Sequence, residues 1–371
     1  MRVLIAPDSF KGSLSAPAAA EALARGWHRA RPDDELVILP LADGGEGTVE
    51  ALMAALGGEW RTTRVHGPLG QAVDARWALL GDGGTALVEM AAASGLMLVP
   101  EDQRNPLRTS TFGTGELLRA ALDAGARTVL MGIGGSATND GGAGMAQALG
   151  FRLIRSDGST LGHPAAGEDL EYIASLDASR VPAGLRQARL RVACDVDNPL
   201  HGPEGAAHVY GPQKGATPEM VRQLDAGLRA WARAVEKHTG RNHAEVPGTG
   251  AAGGLGFALH ALCGAELVPG IDMVLDATRF AGKARGAGLV ITGEGKIDSQ
   301  TMRGKTIAGV VRRAREAGVP VRAFAGKLEV EQLEGVEGLY EIRRHCTSDR
   351  EAMDRAGEIL EQLAERAAAS L

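Results

Sequence analysis

Short apolar runs and amphipathic stretches alternate at both ends of the chain. Val3–Ala6 reads as a buried strand, and a polar turn from Pro7 to Ser15 separates it from a helix carrying Ala19, Leu23, Trp27 and Ala30 on one face. Leu36–Leu39 repeats the strand pattern. After Asp43-Gly44-Gly45, the residues Val49, Leu52, Met53 and Leu56 recur at the i, i+3, i+4, i+7 spacing of a second helix, which Gly57-Gly58 ends. Alternating strands and helices predict a parallel sheet covered by helices. The end of the chain has the same style. Leu289–Thr292 reads as a buried strand with a glycine turn behind it, Val321–Ala325 as another, and the closing helix places Met353, Ala356, Leu360 and Leu363 on one face.

The rhythm changes between residues 60 and 100. Arg61–Val65, Ala75–Leu80 and Ala86–Met90 are strand-like runs separated by Gly/Pro turns, which predicts antiparallel pairing. Alternation resumes from Gly115, and Thr128–Ile133 runs as a strand into a glycine-rich turn. After Thr217-Pro218, an N-cap and first helical position, Val221, Leu224, Leu228, Trp231 and Val235 form a narrow apolar stripe on a packed surface helix. A single core holds roughly 250–300 residues, so a chain of 371 residues is expected to form two domains. The expected fold class is α/β. A parallel sheet flanked by helices, flavodoxin- or Rossmann-like, is built from residues 1–65 and 286–371, with a mixed α/β domain, 66–285, inserted.

Composition changes this picture in one respect: glycine, 52 of 371 residues, is about double its usual share. The glycines cluster, which marks special turns. A formal net charge of −6 argues against a nucleic-acid partner, but not against a phosphate ligand, which responds to local donors. Cys194, Cys263 and Cys346 are far apart and odd in number, as suits a reducing cytoplasm. No apolar run reads as a signal peptide or a membrane span. The nine histidines show no metal-binding spacing.

Several glycine-rich segments carry polar chemistry just after a predicted strand, where open α/β sheets bind ligands. In Asp8-Ser9-Phe10-Lys11, the ammonium of Lys11 can neutralise a phosphate or carboxylate, while Asp8 and Ser9 also suit a self-bonded polar loop. In Asp43-Gly44-Gly45-Glu46-Gly47-Thr48, Asp43 can cap the next helix with Glu46 at its third position, and the glycines admit a ligand to the helix N-terminus. Gly132-Ile133-Gly134-Gly135-Ser136-Ala137 matches a dinucleotide fingerprint together with Asp157, but the turn chemistry of Thr138-Asn139-Asp140-Gly141-Gly142 behind it suits a phosphate nest of backbone N–H groups better. Asp195, at a strand end, is placed for a general base, and Lys214 for a charge on a transferring phosphoryl. Gly248–Gly256 is too glycine-rich for a helix interior and can start a helix at a ligand. Gly304-Lys305-Thr306 invites a P-loop reading, which fails because Ser299 stands where that motif needs glycine and because the strand is expected to end near Thr292. Glu294 and Asp298 remain candidates for holding Mg²⁺.

Seven segments taken in order resemble the bacterial type I glycerate kinase family. They are APDSFKGSLSA from Ala6, ADGGEGT from Ala42, GGSATNDGGAGMAQALG from Gly134, CDVDNPL from Cys194, GPQKGA from Gly211, GTGAAGGLG from Gly248 and LVITGEGKIDSQT from Leu289. Tyr210 stands where the resemblance leads one to expect phenylalanine. The resemblance implies two α/β domains and transfer of the ATP γ-phosphoryl to D-glycerate with Mg²⁺, giving 2-phosphoglycerate, with 3-phosphoglycerate as the alternative product. On this reading Asp195, Lys11 and Lys214 are catalytic, and Asp8, Ser9, Asp43 and Glu46 bind the acceptor. Gly134, Gly135, Ser136, Asn139 and Asp140 hold the nucleotide phosphates, and Glu294 and Asp298 serve the metal. The expected protein is cytoplasmic, a monomer or homodimer, with small-molecule partners only. The rival readings are an NAD-dependent oxidoreductase and a non-catalytic nucleotide-binding module.

Overall fold

The computed structural model describes residues 1–45, 47–299, 301 and 306–371. The chain divides into two compact units, Met1–Gly57 with Pro269–Leu371, and Gly58–Val268. The changeovers lie there rather than at residues 65 and 286 for a reason of pairing. Gly58–His66 is a strand paired along its whole length with Ala72–Leu80, and the helix Gly270–Ala277 packs on Thr306–Glu316 of the first unit.

The first unit holds a five-stranded sheet ordered Gly338–Glu341, Val321–Leu328, Leu289–Ile297, Arg2–Ile5, Glu35–Ile38, parallel throughout. Val3, Leu4 and Ile5 stand opposite Leu289, Val290 and Ile291, all buried. Glu35–Ile38 lies at the edge and is not the buried strand its composition suggests: Ile38 is 46% exposed. The helix Ala16–Ala30 starts on Ser15, whose hydroxyl accepts a hydrogen bond from Ala18 N, with Pro17 in its first turn. Its Ala19, Leu23 and Trp27 are buried, and it packs on Ala356–Ala369. The closing helix is interrupted at Arg355, between Asp349–Asp354 and Ala356–Ala369. Met353 is therefore 53% exposed, and Ile359 rather than Met353 joins Ala356, Leu360 and Leu363 on the buried face.

One strand departs from expectation in a way that matters for chemistry. Leu289–Ile297 continues through Gly293-Glu294-Gly295 instead of turning at Thr292, paired with Val321–Leu328 to its end. A Cβ on Gly293 would fall 3.1 Å from the Phe10 ring, and one on Gly295 2.9 Å from Lys11 N. Here glycine serves close approach, letting the Phe10-Lys11 segment lie on the strand.

The second unit is built on a six-stranded sheet ordered Glu266–Val268, Arg189–Ala193, Thr128–Gly132, Thr85–Glu89, Ala72–Leu80, Gly58–His66. The first four run parallel and the last two pair antiparallel, as the 60–100 pattern predicts. Pro218–Thr239 starts on Thr217, whose hydroxyl accepts from Met220 N at 3.3 Å, and buries Val221, Leu224, Leu228, Trp231 and Val235. Among the described residues no helix is long and apolar enough to cross a membrane.

Candidate active site

The parallel part of the second sheet sends two loops from one edge. Gly132 and Ala193 are register partners at the ends of neighbouring strands, so the loop from Ile133 and the one from Cys194 leave side by side. Asp195 stands exposed two residues past its strand. In the first loop Gly134 and Gly135 are exposed, whereas Ser136 to Asp140 are buried.

The buried part of that loop is fastened from every side. Leu96 N donates to Gly135 O at 2.8 Å, Ala137 N to Ser94 O at 3.0 Å, and Gly141 N to Gly253 O at 3.0 Å. Thr109 Oγ1 donates to Ala137 O, and Trp231 Nε1 to Gly141 O, both at 2.9 Å. Lys214, only 1% exposed, donates from Nζ to Ser136 Oγ at 2.7 Å and to Thr138 O at 2.6 Å. Burial pushes its ammonium down to about 7, against the pull of the Asp140 charge.

Asp140 has a different employment from its neighbours. Its Oδ2 accepts from Thr111 N at 2.8 Å, Thr111 Oγ1 at 2.7 Å and Gly144 N at 3.2 Å, and its Oδ1 from Gly142 N at 3.1 Å. Burial pushes this carboxyl up and the four hydrogen bonds pull it down. The group joins the starts of the helices Phe112–Asp123 and Ala143–Ala148. Asn139 contrasts with it: fully buried, with neither Oδ1 nor Nδ2 hydrogen-bonded among the described residues, and the same holds for Thr138 Oγ1. Unpaired buried polar groups cost ~1–3 kcal/mol each and mark functional sites.

The Gly248–Gly256 segment packs on this loop through a feature that sequence reasoning missed. Ala252, Gly253 and Gly254 are all left-handed, at φ 54°, 68° and 87°. Among the described residues Ala252 is one of two non-glycine residues with positive φ, the other being Arg279, and such strain collects at functional sites. Thr109, Thr111 and Trp231 were also missed. The hydroxyl-rich run Thr109-Ser110-Thr111 was the available signal for the first two.

The dinucleotide fingerprint does not hold. After the Thr128–Gly132 strand no helix begins until Ala143, and Asp157 sits in an exposed turn accepting from Ser159 N.

In the first unit Asp8 follows the Arg2–Ile5 strand. Its Oδ1 accepts from Ser9 N and its Oδ2 from Thr306 Oγ1. Burial pushes its carboxyl up to about 6 against those bonds, and the Asp43 charge adds to the push. Ser9 is half-buried, and Lys11 is exposed in the tight Phe10–Leu14 turn. Asp43 is not a helix cap. Its Oδ1 accepts from Gly45 N at 3.0 Å, and the helix starts at Thr48 after Gly47, whose φ of 87° suits glycine and which offers no side-chain cap. Glu46, Gly304 and Lys305 lie outside the described residues, and with the strand running to Ile297 only Ser299 excludes the P-loop.

Glu294 is 8% exposed and its Oε1 accepts from Thr301 Oγ1 at 3.1 Å, while Asp298 N donates to the same hydroxyl at 2.9 Å. Asp298 Oδ2 lies 3.3 Å from Lys296 Nζ. Carboxylate oxygens are the right donors for Mg²⁺, which takes one or two of them and completes its shell with water and phosphate. Among the described residues no three His, Cys, Asp or Glu side chains converge on a metal position.

Asp8 couples to pH in the direction opposite to a salt-bridged carboxylate. Its folded pKa of about 6 exceeds the ordinary 3.8, so its contribution to stability is complete below pH 3.8 and lost as pH rises through 6. Asp8→Asn should therefore raise Tm at pH 7.5 and change it less at pH 4. Calorimetry showing the same shift at both values would contradict this.

The sequence profile of the glycerate kinase family matches residues 3–371. The chain is 50% identical over 375 residues to a glycerate kinase of Bacillus subtilis, spanning 100% of this chain and 98% of that one. It is 49% identical over 366 residues to a glycerate kinase of Halalkalibacterium halodurans, spanning 98% and 96%. To a glycerate 2-kinase of Escherichia coli it is 49% identical over 328 residues, spanning 88% and 86%. A crystal structure described as glycerate kinase 2 of Salmonella typhimurium LT2 superposes with a TM-score of 0.92 at 46% identity, covering 100% of this chain and 98% of that one.

Proposed function

Because the chain belongs to the glycerate kinase family, we propose that it transfers the γ-phosphoryl group of ATP to the 2-hydroxyl of D-glycerate, releasing 2-phosphoglycerate and ADP. The observation that carries this reading is the match to the family along residues 3–371. The name of the Escherichia coli relative favours the 2-hydroxyl.

Phosphoryl transfer asks for positioning and charge neutralisation more than for covalent chemistry. Gly134, Gly135, Ser136 and Asn139 would present the nucleotide phosphates with backbone N–H groups and the unpaired amide. Lys214 would hold that loop in shape and supply positive charge beneath it. Asp140 would act through the loop, since its carboxylate is already spent on four protein donors. Asp8, Ser9, Asp43 and Glu46 would bind the acceptor, and Lys11 would clamp its carboxylate or the phosphoryl. Asp195 would accept the proton of the glycerate hydroxyl as the new O–P bond forms. Glu294 and Asp298 would hold Mg²⁺, which neutralises charge on the phosphate oxygens when bound. A cytoplasmic location fits the ATP supply and the three free thiols.

A coupled assay of ADP release with D-glycerate tests the activity, and NMR of the product identifies the phosphorylated hydroxyl. Release of ADP only with another hydroxy acid would overturn the substrate, and a 3-phosphoglycerate spectrum the regiochemistry. Asp195→Asn should lower kcat by about 10²–10⁴-fold. Near-normal turnover in a folded variant would remove Asp195 from the base role.

A further inference from the structure

We propose that Arg104 is an anion-binding residue of the loop at Gly134–Asn139, its guanidinium engaging a phosphate of the nucleotide. The inference rests on the kinase reading above and extends it to a residue that no motif singled out. Placement is the first argument. Gly215, with φ +91°, backs directly onto Arg104: a Cβ there would fall 3.0 Å from both the Arg104 carbonyl carbon and its Cβ. Arg104 thus lies against the residue that follows Lys214, and Lys214 itself bonds Ser136 and Thr138. The stretch carrying Arg104 is tied to the loop on both sides. Gly95 is bridged to Ser136, and Thr109 Oγ1 donates to Ala137 O.

The second argument is the state of the side chain. Arg104 is half-buried, and its Nε is buried without a hydrogen-bond partner. Among the described residues no carboxylate lies within ion-pair distance of it. Arg119, Arg152 and Arg229 of the same unit are matched by Asp123, Asp177 and Asp225, whereas several exposed arginines and the half-buried Arg155 share with Arg104 the lack of a carboxylate partner among the described residues; of these Arg104 is the one set beside Gly215 and Lys214. A half-buried guanidinium lacking a counter-charge is costly until an anion arrives, and its planar fork fits phosphate oxygens in pairs. The third argument is division of labour. Lys214 already donates to protein acceptors and burial weakens its hold on its proton, whereas a guanidinium remains charged at any working pH.

The test is titration of the full-length protein with ADP by calorimetry, together with steady-state kinetics. Arg104→Ala should raise the Kd for ADP and the KM for ATP by about 10–100-fold, the loss expected for a charged hydrogen bond. The KM for D-glycerate and the Tm should stay near wild type, and Arg104→Lys should recover part of the ADP affinity. Unchanged ADP binding in Arg104→Ala would overturn the inference. So would a rise confined to the KM for glycerate, or an equal loss of Tm and affinity in both variants, which would make the role structural. A wild-type protein that binds no ADP and phosphorylates no glycerate would instead overturn the kinase reading, and the inference with it.

Discussion

Lys214→Met should lower kcat for glycerate phosphorylation by about 10²–10³-fold, the loss seen when one preorganised donor to a transition-state charge is removed, while the protein stays folded. The two halves of that expectation have separate causes. Activity falls because the loop loses the buried Lys214 ammonium and the bonds from Nζ to Ser136 Oγ and Thr138 O. Stability holds because opposing terms nearly cancel. The Thr138 carbonyl loses a donor, worth ~1–3 kcal/mol, but the protein no longer has to bury an ammonium. The pH dependence separates this account from a purely structural one. With a folded pKa of about 7 against an ordinary 10.5, the folded state binds fewer protons than the unfolded one in that window. Wild-type stability should therefore gain from this group as pH rises from 7 to 10.5, and lose that gain as pH falls back through 7. Lys214→Met should flatten that slope in Tm measurements. A variant that retains full activity but melts far earlier would show Lys214 to be only a strut.

Gly253→Ala should be severely damaging for a single methyl group, and Gly264→Ala is its internal control. The two glycines occupy the two ends of the Ala251–Cys263 segment and have nearly the same φ, 68° and 67°. Adopting the left-handed region costs an alanine ~1–2 kcal/mol at either position. Their surroundings differ completely. Around Gly264 an added Cβ meets nothing within 4 Å. At Gly253 it would overlap the Thr138 carbonyl oxygen and lie 2.7 Å from the Thr138 carbonyl carbon and 2.8 Å from Asn139 Cα. These are backbone atoms, and the Thr138 carbonyl is already held by Lys214 Nζ, so they cannot yield as a flexible side chain would. Gly253→Ala should cost at least ~3 kcal/mol, the tail of mutational effects, or displace the loop and abolish ADP binding. Gly264→Ala should stay near the conformational penalty alone. Denaturant titration and ADP calorimetry on the pair would expose the difference, and equal ΔΔG values would contradict the steric argument.

What could be read from the chain followed the range of the interactions concerned. The helices Ala16–Ala30 and Pro218–Thr239 were legible because cap and stripe are local: Ser15 with Pro17, and Thr217 with Pro218, announce the starts, and the apolar positions repeat over several turns. The strand Leu289–Ile297 runs past the turn that its glycines predict, because those glycines serve the approach of Phe10 and Lys11 across it. Asp43 looked like a cap by spacing, and the backbone of Gly47 decided otherwise. The segments around the phosphate loop were recognisable by composition, but the employment of Asp140 was not. Its key partner, Thr111, lies 29 residues upstream, and no periodicity encodes that pairing. Arg104 was silent for the same reason, since its meaning lies in the partners it lacks.

The parallel sheet of the first unit has a consequence for the order in which the molecule can be made. Arg2–Ile5 lies between Glu35–Ile38, which follows at once, and Leu289–Ile297, which a ribosome delivers only after the whole of Gly58–Val268. At synthesis rates of roughly 5–20 residues per second, that delay is on the order of ten to fifty seconds. During it, the inserted unit has all its strands and can close its own core. Val3, Leu4 and Ile5, fully buried in the finished protein, have no strand to pair with on one side. The helix Ala16–Ala30 likewise waits for Ala356–Ala369, at the far end of the chain, to cover Leu23 and Trp27. Residues 3–30 are thus made long before they are sheltered, so in the growing chain it is this segment that a chaperone would find sticky.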